Sequence, residues 1–409
     1  MSPVSAVDAA FGDLLAWLGA GAPDEAGGVP LQAAVGRVLA RDLVAPIDLP
    51  GADESAMDGY ALRSADTREV RPRLRVVGRV LAGDGRAPGI GIGDCVRIMT
   101  GAVLPPDCDA VVPFEEVAEE AGGWVLLGTP ALPGSHVRPR GEHVSAGEVA
   151  IAAGTRLRRA HLALAAALGV ASLSVLACPR VGVLSTGNEL LEAPGALRRG
   201  QSFDANRPLL LAALAASGME AIDLGICPDD PARFARCMDA AFAGECAAIL
   251  VTGGAAAGDA DVVRAIDGAR FLSIPIRPGR GLVLARPARG PRSIPLLGLP
   301  GNAVAAYVML HLLALPLLRR LAGETAARPP GSIPVPLESD AIVRGGRIEF
   351  RRGVLTQGPE GPRARLLAQQ GSAMIRSLCE ADILVALGPG PATHAGEMVR
   401  VVRIDSLEA

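Results

Sequence analysis

Three glycine-rich loops follow predicted strands in the middle third of the chain. They read S-T-G-N-E over residues 185–189, T-G-G-A-A-A-G-D-A-D over 252–261 and G-L-P-G-N over 298–302. Ligands bind an open parallel sheet at the carboxyl ends of its strands, where glycine admits an oxyanion and a following helix supplies N–H donors. One such loop also suits a tight turn, but three at successive strand ends predict a phosphate or oxyanion site. Its candidate binding residues are Ser185, Thr186, Gly187, Gly253, Gly254, Gly258, Pro300, Gly301 and Asn302.

Acidic residues crowd the same loops, namely Glu189, Asp204, Asp229, Asp230, Asp259 and Asp261. Taken alone, Asp229 or Asp261 is typical of a helix N-cap. Several carboxylates around an anion pocket are better explained by Mg²⁺ held between them and phosphate groups. Two cations, Arg277 and Arg280, flank a Pro-Gly turn after a strand predicted over 271–276, which favours an anion clamp.

Two further stretches lie outside this region. Residues 55–60, S-A-M-D-G-Y, combine a tight turn with the Asp58 carboxylate, and residues 97–101, R-I-M-T-G, end a strand with Thr100 and a glycine. Each alone is a turn. Their spacing brings them to the anion pocket only if a second subunit supplies them.

The sequence contains no lysine, so all 40 basic residues are arginine. This excludes a Schiff-base lysine and the lysine of a P-loop. Anion binding must therefore depend on arginine, backbone N–H groups and helix N-termini. A mutational bias toward arginine codons explains the composition without any selection for function.

The composition limits the number of domains and the classes of protein to which the chain can belong. A chain of 409 residues, half of them hydrophobic, is long enough for two to four domains with large cores. A net charge of -3 and 3% aromatic residues argue against a nucleic-acid or anionic-membrane binder. The seven scattered cysteines and the five histidines show no metal-ligand spacing. The cysteines are better explained as free thiols in a reducing cytosol.

We expect a cytoplasmic protein with neither a signal peptide nor a membrane span. The first residues carry no basic region. Two apolar runs, 160–178 and 303–318, are interrupted by glycine, serine, histidine or proline, and are better explained as a helix with a strand and as a buried helix.

The pattern of elements predicts a multidomain α/β fold. Helices over 5–19, 32–41 and 158–168 enclose a region of short β-type runs. This order predicts a discontinuous helical and extended domain (1–47 and 139–178), with its first and last helices together, interrupted by an inserted β-rich domain (48–138).

From residue 179 strands and helices alternate, and the strands lack period-2 alternation. This predicts an α/β domain (179–327) with a parallel-rich sheet covered by helices on both faces, including helices over 261–267 and 303–322. The segment R-P-P-G at 328–331 is a linker signal, and residues 328–409 predict a small β-barrel or sandwich.

Taken together, these motifs resemble a known family. S-A-M-D-G-Y-A at 55–61, R-I-M-T-G at 97–101, S-T-G-N-E-L at 185–190, G-L-P-G-N at 298–302 and Q-G-S at 370–372 run in the order of the molybdopterin molybdenumtransferases. This is the family of bacterial MoeA and of the C-terminal domain of gephyrin. The resemblance covers essentially the whole chain.

The resemblance implies an elongated homodimer of four-domain subunits, with a three-layer α/β domain of the molybdopterin-binding type. The implied reaction takes adenylylated molybdopterin and molybdate, depends on Mg²⁺, inserts molybdenum at the dithiolene and releases AMP. The implied active site lies between the α/β domain of one subunit and the inserted domain of the other. It would therefore include Asp58 and Thr100. We also expect transient contact with the molybdopterin adenylyltransferase or with molybdoenzyme chaperones.

Residue roles follow from the matched motifs. Asp58, Glu189, Asp229 and Asp261 are the implied catalytic carboxylates, and the last three are the implied Mg²⁺ ligands. Arg277 and Arg280 are implied to contact phosphate or molybdate, and Thr100 and Ser372 to line the pocket.

The chain departs from the usual family motifs at Ala256, Val262, Arg277, Arg280, Gly281, Ala303, Ala305 and His143. The two arginines keep the charge of the usual lysines, whereas the alanines remove hydroxyl groups. The departures in the middle loop and at His143 favour an alternative, a non-catalytic paralogue that carries molybdopterin or the finished cofactor. The retained carboxylates and cations favour the enzyme.

Overall fold

The computed structural model describes residues 3–19, 23–69, 71–85, 88–253, 262–343, 345–390 and 392–404. Gly254, Gly258 and Asp261 lie outside the described residues. The elements that precede the inserted domain are α1 (Pro3–Leu18), β1 (Glu25–Pro30), a 3₁₀ turn (Leu31–Ala33) and β2 (Leu43–Val44). The helix expected over 32–41 is reduced to this turn, because Gly36 has φ +77° and Val38 and Leu39 form β-bridges with the returning chain.

The strands of the inserted domain are β3 (Glu54–Ser55), β4 (Gly59–Leu62), β5 (Arg73–Val80), β6 (Asp94–Ile98), β7 (Ala110–Pro113), β8 (Val117–Glu120), β9 (Trp124–Leu127) and β10 (Val137–Arg138). Six of them, β4 to β9, form one sheet with strand order β7-β4-β6-β5-β9-β8. The short strands β3 and β10 pair antiparallel where the chain enters and leaves.

The returning chain forms β11 (Val149–Ile151), α2 (Arg159–Ala167) and β12 (Ser172–Leu176). β12 pairs antiparallel with β1, and β11 with β2, so segments from both sides of the insertion build one unit. Its core contains Leu39, Leu157 and Val175, each at most 1% exposed.

The first helix packs elsewhere than expected. Val7, Ala10, Phe11 and Leu14 follow the i, i+3, i+4, i+7 spacing of an amphipathic helix, and all four are buried. They join a core formed with the α/β and C-terminal units rather than the core that contains α2. The expectation that these two helices lie together is therefore wrong, because the apolar face of α1 covers a larger apolar surface.

The α/β unit begins with β13 (Arg180–Thr186), β14 (Leu190–Leu191), β15 (Ser202–Phe203), α3 (Asn206–Ala216), β16 (Glu220–Cys227), α4 (Pro231–Ala243) and β17 (Ala248–Thr252). It continues with β18 (Arg270–Ser273), β19 (Ile276–Arg277), β20 (Gly281–Ala285), β21 (Ala288–Arg289), β22 (Arg292–Ser293), β23 (Leu296–Leu299), α5 (Ala303–Met309), a π-helical turn (Leu310–Ala314) and α6 (Leu315–Leu321). The sheet order is β16-β13-β17-β23-β20-β18.

This sheet confirms the parallel-rich architecture. The neighbours β16, β13, β17 and β23 run parallel, and β20 alone is reversed, because it pairs antiparallel with both β23 and the edge strand β18. Separate apolar cores cover its two faces. The continuous helix over Ala303–Leu321 is apolar enough to cross a membrane, but 67% of its most apolar window is buried inside the fold. It is the core helix that the sequence predicts.

Two expected elements differ from the structure. The described part of the helix expected over 261–267 consists of turns, because buried Val262 and Val263 anchor a segment that must reverse within a few residues before β18. The single strand expected over 271–276 is split into β18 and β19 at Pro275, which has no N–H group to donate to a ladder.

The C-terminal unit consists of β24 (Ile333–Pro336), β25 (Ile348–Gly358), β26 (Gly361–Leu366), α7 (Arg376–Glu380), β27 (Ile383–Leu387) and β28 (Met398–Arg403). Its sheet order is β19-β25-β27-β28-β24, with β26 on β25. A bridge between Leu337 and Ala364 links the chain after β24 to β26 and closes the expected small barrel. The edge strand β19 comes from the α/β unit and pairs parallel with β25.

A glycine in α1 tests whether this helix contributes to stability as the packing indicates. Gly12 is exposed in the helix interior and a Cβ there would meet nothing within 4 Å. We expect Gly12→Ala to raise the free energy of unfolding by about 0.5–1 kcal/mol. Gly19→Ala is the matched control, since φ +76° there makes a side chain unfavourable. Urea unfolding, followed by Trp17 fluorescence in a Trp124→Phe background, measures both; equal effects of the two changes would contradict the assignment.

Candidate functional site

The three predicted loops meet at one edge of the α/β sheet. In the parallel register Ser185 lies opposite Thr252, and Thr252 lies opposite Leu299, so the strands end side by side. Gly253 has φ +80°, and a Cβ there would lie 2.1 Å from the carbonyl oxygen of Thr186. The Asn206 amide donates to the carbonyl oxygen of Gly301 at 2.7 Å. The loops therefore brace one another directly.

The hydroxyl groups of the first loop point inward. Ser185 and Thr186 are 0% and 3% exposed. Ser185 Oγ donates to Asp204 at 3.0 Å and lies 3.1 Å from Thr252 Oγ1, and Thr186 Oγ1 donates to the carbonyl oxygen of Thr252 at 3.2 Å. Both side chains, expected to bind substrate, thus join neighbouring strands within the fold.

Asp204 likewise belongs to the framework. Its carboxylate accepts hydrogen bonds from Ser185 and from Nε of Arg207, which is 6% exposed. Arg207 also pairs with Glu192 and Asp223. Burial disfavours the charge of Arg207, but these carboxylates outweigh it and raise its pKa. The network orders the start of α3 beside the loops.

Two candidate metal carboxylates, those of Asp229 and Glu189, lie in neighbouring loops at this edge of the sheet. Asp230, rather than Asp229, caps α4 by accepting from the N–H of Arg233 at 2.7 Å. The backbone N–H of Asp229 donates to Asn188 Oδ1 at 3.2 Å, which ties its loop to the one that carries exposed Glu189. Within the described ranges no three His, Cys, Asp or Glu side chains form a metal cluster. The third expected ligand, Asp261, lies outside those ranges.

A cleft of about 1380 Å³ opens between the α/β and C-terminal units. We name it the arginine cleft after the six arginines that line it: Arg264, Arg277, Arg280, Arg347, Arg351 and Arg352. The predicted residues Pro300, Gly301, Asn302 and Ser372 also line it. Among its described lining residues, Glu349 is the only carboxylate. The cleft therefore has the charge and backbone character of a polyanion site.

The wall on the C-terminal side is rigid. Arg352 is 1% exposed, and its guanidinium donates to Ser377 Oγ and to the carbonyl oxygens of Gln369 and Gly371 at 3.0–3.1 Å. Burial lowers the pKa of this guanidinium, and these three hydrogen-bond partners are all neutral. The loop that it holds presents Ser372, which accepts a hydrogen bond from Asn302 at 3.3 Å. Ser372 and the third glycine loop are thereby joined across the two units.

Asp58 and Thr100 meet in the inserted domain. The backbone N–H and the Oγ1 hydroxyl of Thr100 both donate to Asp58 Oδ1 at 2.7 Å, and these bonds lower the pKa of the carboxyl group. Gly59 is required beside them, because a Cβ would lie 2.1 Å from the carbonyl oxygen of Val112. Neither Asp58 nor Thr100 lines the arginine cleft of its own chain.

Known protein families match all three parts of the chain. Family models described as the MoeA N-terminal region (domain I and II), a probable molybdopterin binding domain and the MoeA C-terminal region (domain IV) match residues 5–169, 182–320 and 334–404. A molybdopterin molybdenumtransferase of Haemophilus influenzae is 32% identical over 87% of this chain and 88% of its own length. One from Synechococcus elongatus is 36% identical over 88% of this chain and 90% of its own length. The chain belongs to the MoeA family of molybdopterin molybdenumtransferases.

Solved structures agree with this family. A molybdopterin biosynthesis MoeA protein from Pyrococcus horikoshii superposes with a TM-score of 0.71 at 30% identity, covering 97% of this chain and 98% of its own. A second structure of MoeA from that organism gives a TM-score of 0.77 at 26% identity, with 99% and 100% covered. Membership in the MoeA family makes this chain a transferase of molybdenum cofactor biosynthesis.

Several charged residues of the cleft were missed by the sequence prediction of this MoeA-family site. They are Arg347, Glu349, Arg351 and Arg352. A signal was present, because R-I-E-F-R-R at 347–352 places charges at 347, 349 and 351 on one face of a predicted strand. The glycines that flank this run, Gly346 and Gly353, suit the turns of a small barrel, so the pattern predicts a barrel strand and not a binding site.

The close approach of the loops predicts unequal effects of two alanine substitutions. Gly253→Ala should lower the free energy of unfolding by about 2–5 kcal/mol, since it combines backbone strain with overlap onto the Thr186 carbonyl. Gly301→Ala is the control, because its Cβ would lie 3.5 Å from Gly253 Cα, an ordinary contact. Urea denaturation of both variants measures the difference; a destabilised Gly301→Ala with an intact Gly253→Ala would refute this packing.

Proposed function

We propose that this chain inserts molybdenum from molybdate into adenylylated molybdopterin in the arginine cleft and releases AMP. The observation that carries the proposal is the meeting of two half-sites. The third glycine loop and Arg280 from the α/β unit face arginines and Ser372 from the C-terminal unit. An oxyanion and a phosphoanhydride both need cationic and N–H donors around them.

The side chains that line the cleft have different roles, which depend on where each one lies. Arg280 is exposed in the cleft, and no side-chain hydrogen bond or ion pair is recorded for it among the described residues, so its guanidinium is available to an oxyanion. Arg277 lies across the Pro-Gly turn from it. Ser372 and Asn302 provide neutral donors where the two units join. These groups bind and orient the anions, and the buried Arg352 keeps their wall in place.

The carboxylates of Asp229 and Glu189 are suited to bind a magnesium ion. Mg²⁺ is typically held by one or two carboxylates together with substrate phosphates. Asp230, and not Asp229, caps α4, so the carboxylate of Asp229 is not used as a helix cap. A hydrogen bond from the N–H of Asp229 to Asn188 joins its loop to the loop that carries exposed Glu189. We infer that both hold the ion, with Asp261 as the third ligand. When bound, Mg²⁺ would polarise the phosphoryl oxygens.

A single substitution tests the arginine cleft. We expect Arg280→Gln to raise the KM for molybdate by about 10–100-fold, the worth of one charge-assisted hydrogen bond. Molybdate- and Mg²⁺-dependent release of AMP from adenylylated molybdopterin, separated by chromatography, measures it. Arg376→Gln is the control, because Arg376 is an exposed arginine outside the cleft. Tight binding of molybdopterin by the unaltered chain without any release of AMP would instead indicate a carrier.

We further propose a homodimer in which Asp58 and Thr100 of one subunit complete the arginine cleft of the other. In support, the Asp58–Thr100 pair is hydrogen-bonded and exposed but does not belong to the described lining of its own cleft. We also propose a cytoplasmic location, with transient contacts to the molybdopterin adenylyltransferase or to molybdoenzyme chaperones. All seven cysteines are free thiols, as in a reducing compartment.

Mixing two impaired variants, assayed at molybdate far below the raised KM of Arg280→Gln, tests the shared site. Hybrids of Asp58→Asn and Arg280→Gln subunits should recover about a quarter of wild-type AMP release, because half of a random mixture is heterodimer with one intact site each. Hybrids of Asp229→Asn and Arg280→Gln, both on the same side of the site, should recover nothing. If neither mixture recovered AMP release although light scattering showed dimers, each subunit would act alone.

A further inference from the structure

The arginine cleft holds one acidic side chain in an otherwise cationic lining. Glu349 lies on β25, and its side chain is 16% exposed. The cleft-lining guanidinia come from both units, and Arg277 and Arg351 are the two that pair with this carboxylate. A carboxylate placed among groups that must bind a dianion opposes that binding, so its presence requires an explanation.

The two carboxylate oxygens serve different partners. Oε2 of Glu349 accepts from Nε and Nη2 of Arg351 at 2.9 and 2.7 Å, a bidentate pair on one strand. Arg351 also donates to the carbonyl oxygen of Ile342. Its guanidinium is therefore committed to the wall. Oε1 lies 3.9 Å from Nη1 of Arg277, which is close enough for attraction but too long for a hydrogen bond.

The register of the strands produces this contact across two units. Arg277 on β19 lies directly opposite Glu349 on β25 in the parallel ladder. Half of the Arg277 side chain (46%) remains exposed, whereas that of Arg351 is 20% exposed. Glu349 thus restrains Arg277 without covering it, and leaves the guanidinium open to a ligand.

The neighbouring charges show what Glu349 offsets. Arg347 lies on the same wall, and burial together with the charges of Arg277 and Arg280 lowers its pKa, whereas Glu349 opposes this effect. Without Glu349 these guanidinia would repel one another at close range, and each would be less fixed in position.

We propose that Glu349 is a positioning residue, which holds the Arg277 guanidinium toward the bound oxyanion and limits the positive charge of the arginine cleft so that anions are not retained unproductively. The part of this inference that concerns turnover rests on the proposed function. The structure supports it through the one-to-one register with Arg277 and the bidentate pair with Arg351.

Two substitutions of Glu349 separate the effect of its charge from the effect of its position. Glu349→Gln removes the charge, so sulfate and molybdate should both bind about 3–10-fold more tightly, while kcat falls about 10–100-fold because Arg277 is misplaced. Glu349→Asp keeps the charge but withdraws it by about 1.5 Å. It should retain wild-type sulfate affinity and still lose kcat. Glu360→Gln, at a side chain 89% exposed outside the cleft lining, controls for net charge.

Titration calorimetry with sulfate alone, and AMP release at varied molybdate, measure these effects. A merely structural role would weaken sulfate binding in Glu349→Gln, and that result, or unchanged sulfate binding, would overturn the proposal. Full kcat in Glu349→Asp would overturn the positioning role. If the unaltered chain released no AMP, the proposed function would fail, whereas the sulfate titration would still decide the role of Glu349.

Discussion

The arginine cleft depends on one strand that changes sheets. β18 ends its ladder with β20 before Pro275, which has no N–H group to continue it. The chain then runs on into β19, and the carbonyl oxygen of Pro275 accepts from the N–H of Ile348 in the C-terminal unit. Parallel pairing of β19 with β25 fixes the two units side by side. The Pro-Gly turn with Arg280 follows at once, so the crossing sets where both walls of the cleft lie.

Arginine suits this arrangement better than lysine would. The guanidinium of Arg352 reaches three neutral acceptors at once, and that of Arg351 binds Glu349 through two nitrogens. A lysine ammonium has neither the planar fork nor the weak hydration that such burial requires. Whatever the origin of the lysine-free composition, the structure uses the geometry of the guanidinium and not only its charge.

The departures from the family motifs lie partly in packing positions. Val262 is 7% exposed in the core beneath the sheet edge, and Ala303 and Ala305 are 8% and 3% exposed at the start of the long helix. Small apolar side chains at these buried positions introduce no polar group that would itself need a hydrogen-bond partner. His143 lies on an exposed turn beside Glu142, away from the cleft lining. Of these four positions only Ala305 lines the cleft, whereas the departures at Arg277, Arg280 and Gly281 all lie in its lining.

The sequence predicts the site well where backbone geometry determines it. Glycine at the carboxyl ends of parallel strands has few alternatives, so the sequence predicts that the three loops meet at one edge of the sheet. Of these loops only the third, together with the Arg277–Arg280 turn, contributes described residues to the lining of the cleft. Side-chain direction is not encoded in the same local way. Ser185 and Thr186 lie in the loop that predicts binding, yet their hydroxyls face neighbouring strands because β13 is central and buried.

Long-range packing explains the remaining differences. The helix α1 was predicted correctly from its spacing, but its neighbours depend on which apolar surface is left uncovered by the rest of the chain. The arginines at 347, 351 and 352 become site residues only because β19 joins β25, a pairing between segments some 70 residues apart that no local pattern reports.

The charges of the separate units complement one another. The arginine cleft carries many cations and one carboxylate, whereas Asp58 projects an exposed carboxylate from a turn of the inserted domain. Thr100 offers Asp58 hydrogen bonds but no positive charge, so its anionic form is stabilised without being neutralised. An ionised, exposed carboxylate that pairs with no described cation of its own unit is free to bind a cationic partner or a metal ion. That is the arrangement which the proposed homodimer, with its site completed by a second copy of this chain, would require.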